Sequence, residues 1–298
     1  MNNLNLKGVI TALITPMTQS GIDCDALKRI VSAQKKANVS ALVLFGTTGE
    51  PLSLLPEEIP LVFETTKKHC GDLPLICGIS SPITYAAVKS AKYFAKLGAN
   101  ALLVITPYYY RCSEDGIYSH YKAICEACDL PIIVYNVPKR TGFDLTEHEE
   151  LYNRIFALDN VCAIKNAAVS TEKNRLFAQK CKINLLSGND NNNLENLKVG
   201  GSGSVSVVSN LFPELEKAMH DAYTNNDYEL AVKIDSELQK LCCTFDKSPN
   251  PIPIKYACAL KYGFNPIYRL PLTPPDKTTA EEILKLTNAT LKISENFI

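Results

Sequence analysis

Eight short apolar runs recur along the first three quarters of the chain, at intervals of roughly 20–35 residues, which is the period of a strand–helix unit. Most of the runs are nearly continuous in Val, Ile, Leu and Ala, as is typical of parallel strands that are covered on both faces. The predicted strands are 8–16, 40–46, 73–79, 99–107, 130–138, 161–166, 183–188 and 203–210. Eight such units by about residue 224 predict an α/β protein with a closed (β/α)8 TIM barrel.

A doubly wound open sheet is the alternative arrangement of the same elements. The dinucleotide-binding fingerprint that often accompanies it is missing, because the glycine-rich segments 46–50 and 200–203 both lack the required spacing. From about Asn225 the strand–helix rhythm stops, and helices are predicted at 228–243, 254–262 and 280–288. We therefore predict a catalytic barrel over residues 1–224 and a C-terminal helical domain, packed on it as an appendage, over residues 225–298.

Local signals predict two helix starts and one helix end. Thr84 is expected to cap the helix that follows it, and Gly98 is expected to end that helix in the left-handed conformation. Thr146 and Glu149 have the spacing of a capping box.

Composition excludes several functional classes. The 31 basic and 31 acidic residues are interspersed and give a formal net charge of +0, so a nucleic-acid partner is not expected. No apolar run reaches the ~18 residues that a membrane span needs, and we expect neither a membrane segment nor a secretory signal. Most of the 11 cysteines lie inside apolar patterns, which favours free buried thiols in a reducing cytoplasm. Cys125 and Cys128 form one Cys-x-x-Cys, which leaves metal or redox use as the lesser alternative.

Lys165 ends the sixth apolar run, where a charged amine is costly unless it has a function. A lysine desolvated in a barrel interior can lose its proton and attack a carbonyl carbon. The leading hypothesis is therefore an enzyme that forms a Schiff base on Lys165.

Other polar residues follow the predicted strands, where barrel enzymes carry their chemistry. They are Thr47, Thr48, Glu50, Tyr108, Tyr109, Tyr110, Arg111, Tyr135, Asn136, Arg140, Gly188, Asn189 and Asp190. The 4 histidines lie in predicted helices or at their ends, which disfavours a zinc site and a histidine triad and leaves proton transfer to tyrosine, threonine or a carboxylate. Each residue taken singly also has a structural explanation, such as a tyrosine that caps the core or a tight turn at 46–49.

Several short stretches, in order along the chain, carry a resemblance to a known family. They include Gly-Thr-Thr-Gly-Glu at 46–50, Thr-Pro-Tyr-Tyr at 106–109, Tyr-Asn-Val-Pro-Lys-Arg at 135–140 and Asn-Pro-Ile-Pro-Ile-Lys at 250–255. Further matches at 14–17, 164–165, 186–190 and 269–274 extend the likeness over nearly the whole chain. The chain resembles the pyruvate-dependent class I aldolase family that contains dihydrodipicolinate synthase and N-acetylneuraminate lyase.

The resemblance implies the synthase branch, which condenses pyruvate with aspartate semialdehyde in lysine (diaminopimelate) biosynthesis. It implies that Lys165 forms an imine with pyruvate and that Tyr135 donates and accepts protons. Thr47 and Tyr109 would complete a proton relay, with Tyr109 reaching into the site of a neighbouring subunit. No cofactor and no metal are implied, because the imine with the substrate itself acts as the electron sink.

Four further positions match the substrate-binding residues of the family. Thr48 would hold the pyruvate carboxylate, and Arg140 would bind the carboxylate of the aldehyde through its planar guanidinium. Gly188 and Val205 would line the imine pocket. The arginine and the second threonine of Gly-Thr-Thr-Gly-Glu favour the synthase.

One departure keeps two alternatives open. The family commonly has Glu-Ala after the lysine, whereas this chain has Asn166 and Ala167. The alternatives are another pyruvate-dependent aldolase, such as N-acetylneuraminate lyase, and a keto-acid-binding homologue with weak turnover.

The resemblance also implies a homo-oligomer, with a tetramer built as a dimer of dimers. Members inhibited by lysine bind the effector with polar side chains at a subunit contact, and those positions align here with Pro56, Ile59, Pro82 and Ala86. None of these four side chains makes the required hydrogen bonds or charge pairs, so we predict weak or absent inhibition by lysine.

Overall fold

A closed barrel of eight parallel strands forms the centre of the computed structural model, which describes residues 6–168, 170–180 and 182–297, and of Thr171 the backbone alone. The strands are β1 (Gly8–Ala12), β2 (Ala41–Leu44), β3 (Leu75–Ile79), β4 (Ala101–Ile105), β5 (Ile132–Asn136), β6 (Val161–Asn166), β7 (Asn184–Ser187) and β8 (Gly203–Ser206). Each strand pairs with its neighbours in the chain, and β8 closes the ring against β1. The predicted (β/α)8 barrel is confirmed, although most strands are shorter than predicted.

Helices surround the barrel and extend beyond it. They are α1 (Cys24–Lys36), α2 (Glu58–His69), α3 (Thr84–Leu97), α4 (Glu114–Cys125), α5 (Pro138–Thr141), α6 (Glu149–Phe156), α7 (Thr171–Lys180), α8 (Asn193–Lys198), α9 (Pro213–Thr224), α10 (Tyr228–Phe245), α11 (Ile252–Tyr262) and α12 (Lys277–Ser294). A two-stranded antiparallel hairpin, Met17–Thr18 with Gly21–Ile22, follows β1 and is not predicted from the sequence.

Alternate residues of each strand belong to two separate apolar clusters, because successive side chains of a strand point to opposite faces. Leu103 and Ile105 of β4 belong to the cluster inside the barrel, and Leu102 and Val104 belong to the cluster beneath the helices. Both faces of each strand are therefore buried, which explains the nearly continuous apolar runs.

The same alternation assigns the polar residues at the ends of β5 and β6. Ile133 and Tyr135 belong to the inner cluster, as does Ala163, whereas Val134 and Ile164 belong to the outer one. The side chain of Lys165 therefore projects into the barrel.

The predicted capping roles of Thr84 and Thr146 are wrong, because both hydroxyls have other partners. Thr84 is the first residue of α3, and its Oγ1 is hydrogen-bonded to His120 Nδ1 at 3.0 Å. Thr146 lies in a short 3-10 turn and donates to Asp144 Oδ1 at 2.7 Å. The predicted left-handed end of α3 at Gly98 is confirmed, with φ 91°.

The last three helices extend the chain beyond the barrel. α10 packs against α9 and α12, and α11 packs against α12 and α1. We propose the division at residue 224, since α9 ends at Thr224 and α10 begins at Tyr228. Across the residues that the structure describes, no helix is both long and apolar enough to cross a membrane.

Candidate active site

The Lys165 amine lies inside the barrel, close to the side chain of the adjacent strand. Lys165 at the end of β6 pairs in register with Tyr135 at the end of β5. Its Nζ lies 4.2 Å from the centroid of the Tyr135 ring, and the residue is only 5% exposed. The residue is thus held out of bulk water, and such desolvation is the environment expected of a lysine nucleophile.

A cavity of about 410 Å³ opens beside Tyr135. The Tyr135 ring forms part of its wall, together with Arg140, Gly188, Asp190 and Asn250. Gly188 follows β7, where a Cβ atom would come within 3.0 Å of the Ala167 side chain and 3.1 Å of its backbone nitrogen. A glycine at this position therefore allows the ends of β6 and β7 to lie close together.

A second cavity, of about 670 Å³, adjoins the first. It is lined by Thr47, Tyr108 and Arg269 and shares Arg140 and Asn250 with the first cavity. Arg140 lies in α5, directly after β5, and its Nη2 donates to the Asn250 carbonyl oxygen at 3.3 Å. Arg140 therefore lines both cavities and brings a cationic side chain to the wall that they share.

The turn that carries Thr47 and Thr48 has a constrained backbone. Phe45 at φ 58° and Glu50 at φ 53° lie in the left-handed region, one before the turn and one after it. Gly78 makes room for the turn, since a Cβ there would lie 2.3 Å from the Phe45 carbonyl oxygen. Thr48 is buried, and its hydroxyl accepts a hydrogen bond from Asn250 Nδ2 at 3.1 Å.

A buried ion pair holds the same turn from the side of the C-terminal helices. Lys255 Nζ of α11 lies 2.6 Å from Glu50 Oε1, and the two side chains are 0% and 1% exposed. Burial lowers the pKa of the Lys255 ammonium from its ordinary value, and the neighbouring Glu50 carboxylate opposes that shift. Sequence reasoning assigns no role to Asn250 or Lys255, although both lie in the Asn-Pro-Ile-Pro-Ile-Lys stretch.

The structure does not bring every candidate residue to the first cavity. Thr47 lines only the second cavity, and Lys165, Thr48 and Tyr109 line neither. Tyr109 is 87% exposed, has φ 74° and makes an edge contact with Tyr110. Val205 lies inside the barrel opposite Ile10 on β1 and lines neither cavity.

The alternative of a metal or redox centre gains no support. The described residues contain no group of three or more His, Cys, Asp or Glu side chains that could hold a metal ion. The described cysteines are free. Burial raises the pKa of Cys125 to about 12, and it raises the pKa of Cys128 as well, so neither thiol has the lowered pKa of a redox-active cysteine.

Comparison with known proteins agrees with this geometry. Residues 5–290 match the Dihydrodipicolinate synthetase family. A 4-hydroxy-tetrahydrodipicolinate synthase of Rickettsia bellii (strain OSU 85-389) is 38% identical over 298 residues, which cover 98% of this chain and 100% of that protein. One of Ehrlichia canis (strain Jake) is 36% identical over 97% of this chain and 99% of that protein.

Solved structures give the same result. The 4-hydroxy-tetrahydrodipicolinate synthase of Methylacidiphilum fumariolicum SolV superposes with a TM-score of 0.92 at 30% identity, covering 98% of this chain and 99% of that one. A monomeric dihydrodipicolinate synthase variant superposes with a TM-score of 0.91 at 32% identity, covering 99% and 98%.

Proposed function

Because the chain belongs to the dihydrodipicolinate synthetase family, we propose that it catalyses the reaction of a 4-hydroxy-tetrahydrodipicolinate synthase. This reaction condenses pyruvate with L-aspartate 4-semialdehyde in the biosynthesis of diaminopimelate and lysine. The observation that carries the proposal is the Lys165 amine, which is buried at a strand end and lies 4.2 Å from the ring of Tyr135, a residue that lines an open cavity.

The first half of the proposed reaction takes place on Lys165. The neutral amine attacks the keto carbon of pyruvate, the oxygen leaves as water, and a protonated imine results. The imine withdraws electrons, so the methyl group loses a proton and an enamine forms. We propose that Tyr135 moves these protons. A phenol at neutral pH holds its own proton and is a weak base, so it needs relay partners, for which we propose Thr47 and Tyr109. The proposed reaction uses no cofactor, because the protonated imine formed with pyruvate is itself the electron sink.

The second half joins the two substrates. The enamine carbon attacks the aldehyde carbon, whose oxygen takes up a proton and becomes a hydroxyl. The amino group of the aldehyde substrate then attacks the imine carbon, so that a ring closes and the Lys165 amine leaves. Arg140 is proposed to bind the aldehyde's carboxylate, for which its planar guanidinium offers two parallel hydrogen bonds. Thr48 is proposed to hold the pyruvate carboxylate, and Gly188 and Val205 to shape the imine pocket.

We also propose that the enzyme acts as a homo-oligomer in the cytoplasm. The exposed position of Tyr109 supports this, since a side chain that projects from its own subunit can enter the site of another. The family implies a tetramer built as a dimer of dimers. One structurally similar protein is described as a monomeric variant, so the oligomeric state is a point to measure by sedimentation. Free cysteines support a reducing compartment.

Reductive trapping with borohydride in the presence of pyruvate, followed by mass spectrometry, tests the proposal directly. We expect one reduced pyruvate on Lys165 in the wild type, none in Lys165→Ala, and an unchanged adduct in Lys180→Ala, which removes an exposed lysine of α7. An aldehyde-condensation assay then follows on the same samples.

The outcomes separate the three functions under consideration. Trapping together with condensation of aspartate semialdehyde supports the synthase. Trapping together with cleavage of N-acetylneuraminate favours the lyase, and trapping without turnover of either favours a keto-acid-binding protein. The absence of any adduct on Lys165 would refute all three.

A further inference from the structure

Three buried asparagines form a hydrogen-bonded chain on the outer side of β5 and β6. Asn136 Nδ2 donates to Asn166 Oδ1 at 2.8 Å, and Asn166 Nδ2 donates to Asn174 Oδ1 at 2.6 Å. The three residues, which we call the amide chain, are 0%, 2% and 5% exposed. Because they have so little contact with solvent, bulk water cannot readily replace these partners.

The amide chain also holds the backbone that follows each strand. Asn136 Oδ1 accepts from the Leu145 backbone N–H at 3.0 Å, and Asn166 Oδ1 accepts from the Ala168 backbone N–H at 3.2 Å. Asn136 Nδ2 donates in addition to Asp144 Oδ1 at 2.9 Å. The chain thus joins the loop after β5, the loop after β6 and the helix α7.

The amide chain lies directly behind the reacting groups. Asn136 follows Tyr135 and Asn166 follows Lys165, and each pair of neighbours faces opposite sides of its strand. Fixing the two asparagines on the outer face therefore fixes the strand ends from which the tyrosine and the lysine project into the barrel.

Asparagine at position 166 requires a hydrogen-bond acceptor that a carboxylate at the same position would not require. Its Oδ1 accepts hydrogen bonds as a carboxylate oxygen does, but its Nδ2 is a donor that needs an acceptor, and a buried donor without one is destabilising. Asn174 Oδ1 is that acceptor, and it comes from α7. The pair Asn166 and Asn174 therefore functions as a unit that contains no titratable group.

We propose that Asn174 is a positioning residue for imine formation. By accepting the hydrogen bond of Asn166 it holds α7 against the end of β6 and fixes the strand end that carries Lys165. This inference rests on the proposed function of Lys165. It predicts an effect on the pyruvate half of the reaction and a smaller one on the aldehyde, which we assign to Arg140.

Substitutions at position 174 separate the hydrogen bond from the packing of the side chain. Asn174→Leu has a similar volume and no acceptor, whereas Asn174→Asp keeps an acceptor oxygen in place. We expect the leucine variant to form the borohydride-trapped pyruvate adduct about tenfold more slowly, the cost of one lost buried hydrogen bond, with KM for the aldehyde changed less than about twofold. The aspartate variant should recover to within about threefold of the wild type. Gln179→Leu, which removes an exposed amide from the same helix, is the matched control and should not change the rate.

The outcomes distinguish this inference from the proposed function. Normal trapping in the wild type with an unaffected leucine variant, or an aspartate variant as slow as the leucine variant, overturns the inference alone. Absence of the adduct in the wild type overturns the function and the inference together. If circular dichroism shows that the leucine variant does not fold, Asn174→Ala removes the same acceptor and is measured against the aspartate variant in its place.

Discussion

Removal of one partner from the buried ion pair should destabilise the protein far more than the change in volume suggests. Lys255 Nζ and Glu50 Oε1 are 2.6 Å apart, and the two side chains are 0% and 1% exposed. At an effective dielectric constant of about 20, their attraction is about 6 kcal/mol, most of which offsets the cost of burying both charges. Lys255→Met leaves the Glu50 carboxylate buried without its cation. Breaking a buried pair in this way costs about 3–5 kcal/mol.

Thermal unfolding measures this loss. In proteins of somewhat smaller size, each kcal/mol lost from the free energy of unfolding lowers Tm by roughly 2–4 °C. We therefore expect the Tm of Lys255→Met to fall by roughly 10 °C. Adding Glu50→Gln should restore more than half of the loss, because a neutral amide needs no counter-charge. Lys240→Met removes a cation from an exposed ion pair of α10 and should shift Tm by less than about 2 °C.

Two results would contradict this reasoning. One is a Lys255→Met variant that unfolds within about 2 °C of the wild type, which would mean that the Glu50 carboxylate is satisfied without the lysine. The other is a double variant less stable than Lys255→Met, which would mean that Glu50 stabilises the fold through contacts other than the ion pair.

Three further predictions concern pH, assembly and regulation. Desolvation lowers the pKa of His120 from 6.5 to about 4, so between these values the unfolded chain binds a proton that the folded chain does not. The free energy of unfolding should therefore fall by about 3 kcal/mol in total as pH decreases through that window. Urea unfolding at a series of pH values should show a weaker pH dependence of this free energy in His120→Gln, and the same dependence in the variant and the wild type would refute the assignment. Tyr109→Phe should lose most activity with its circular dichroism retained, and mixing it with Lys165→Ala subunits should restore activity if the tyrosine acts in trans, whereas full activity of Tyr109→Phe would exclude it from the relay. Free lysine should inhibit condensation weakly or not at all, and half-inhibition at submillimolar lysine would contradict the prediction made from the apolar residues at the effector positions.

The barrel could be predicted from the sequence because its physical requirement repeats. A parallel strand between a barrel core and a layer of helices must be apolar on both faces, and eight such runs at a regular spacing are consistent with few other architectures. The capping predictions failed for the opposite reason. A threonine at a plausible cap position is a local signal, and at Thr84 the hydroxyl is hydrogen-bonded instead to His120, 36 residues away.

The residues of the candidate site also fall into those that the sequence indicates and those that it does not. Lys165 and Tyr135 could be identified from the sequence, since a lysine that ends an apolar run is costly and strand ends meet at one edge of a barrel. The residues that hold the site had no such signal. Lys255 lies 205 residues from Glu50 and Asn250 lies 202 residues from Thr48.

The sequence by itself therefore determined the barrel and the position of the buried lysine. Burial imposes a regular spacing of apolar runs, and a charged residue at the end of one run interrupts its apolar pattern. Only the tertiary structure decided which side chains contact the end of β6 and the turn that carries Thr47 and Thr48. Hydrogen bonds and ion pairs between distant segments follow no period, and they form only where closure of the barrel and packing of the last helices bring the two partners within about 3 Å.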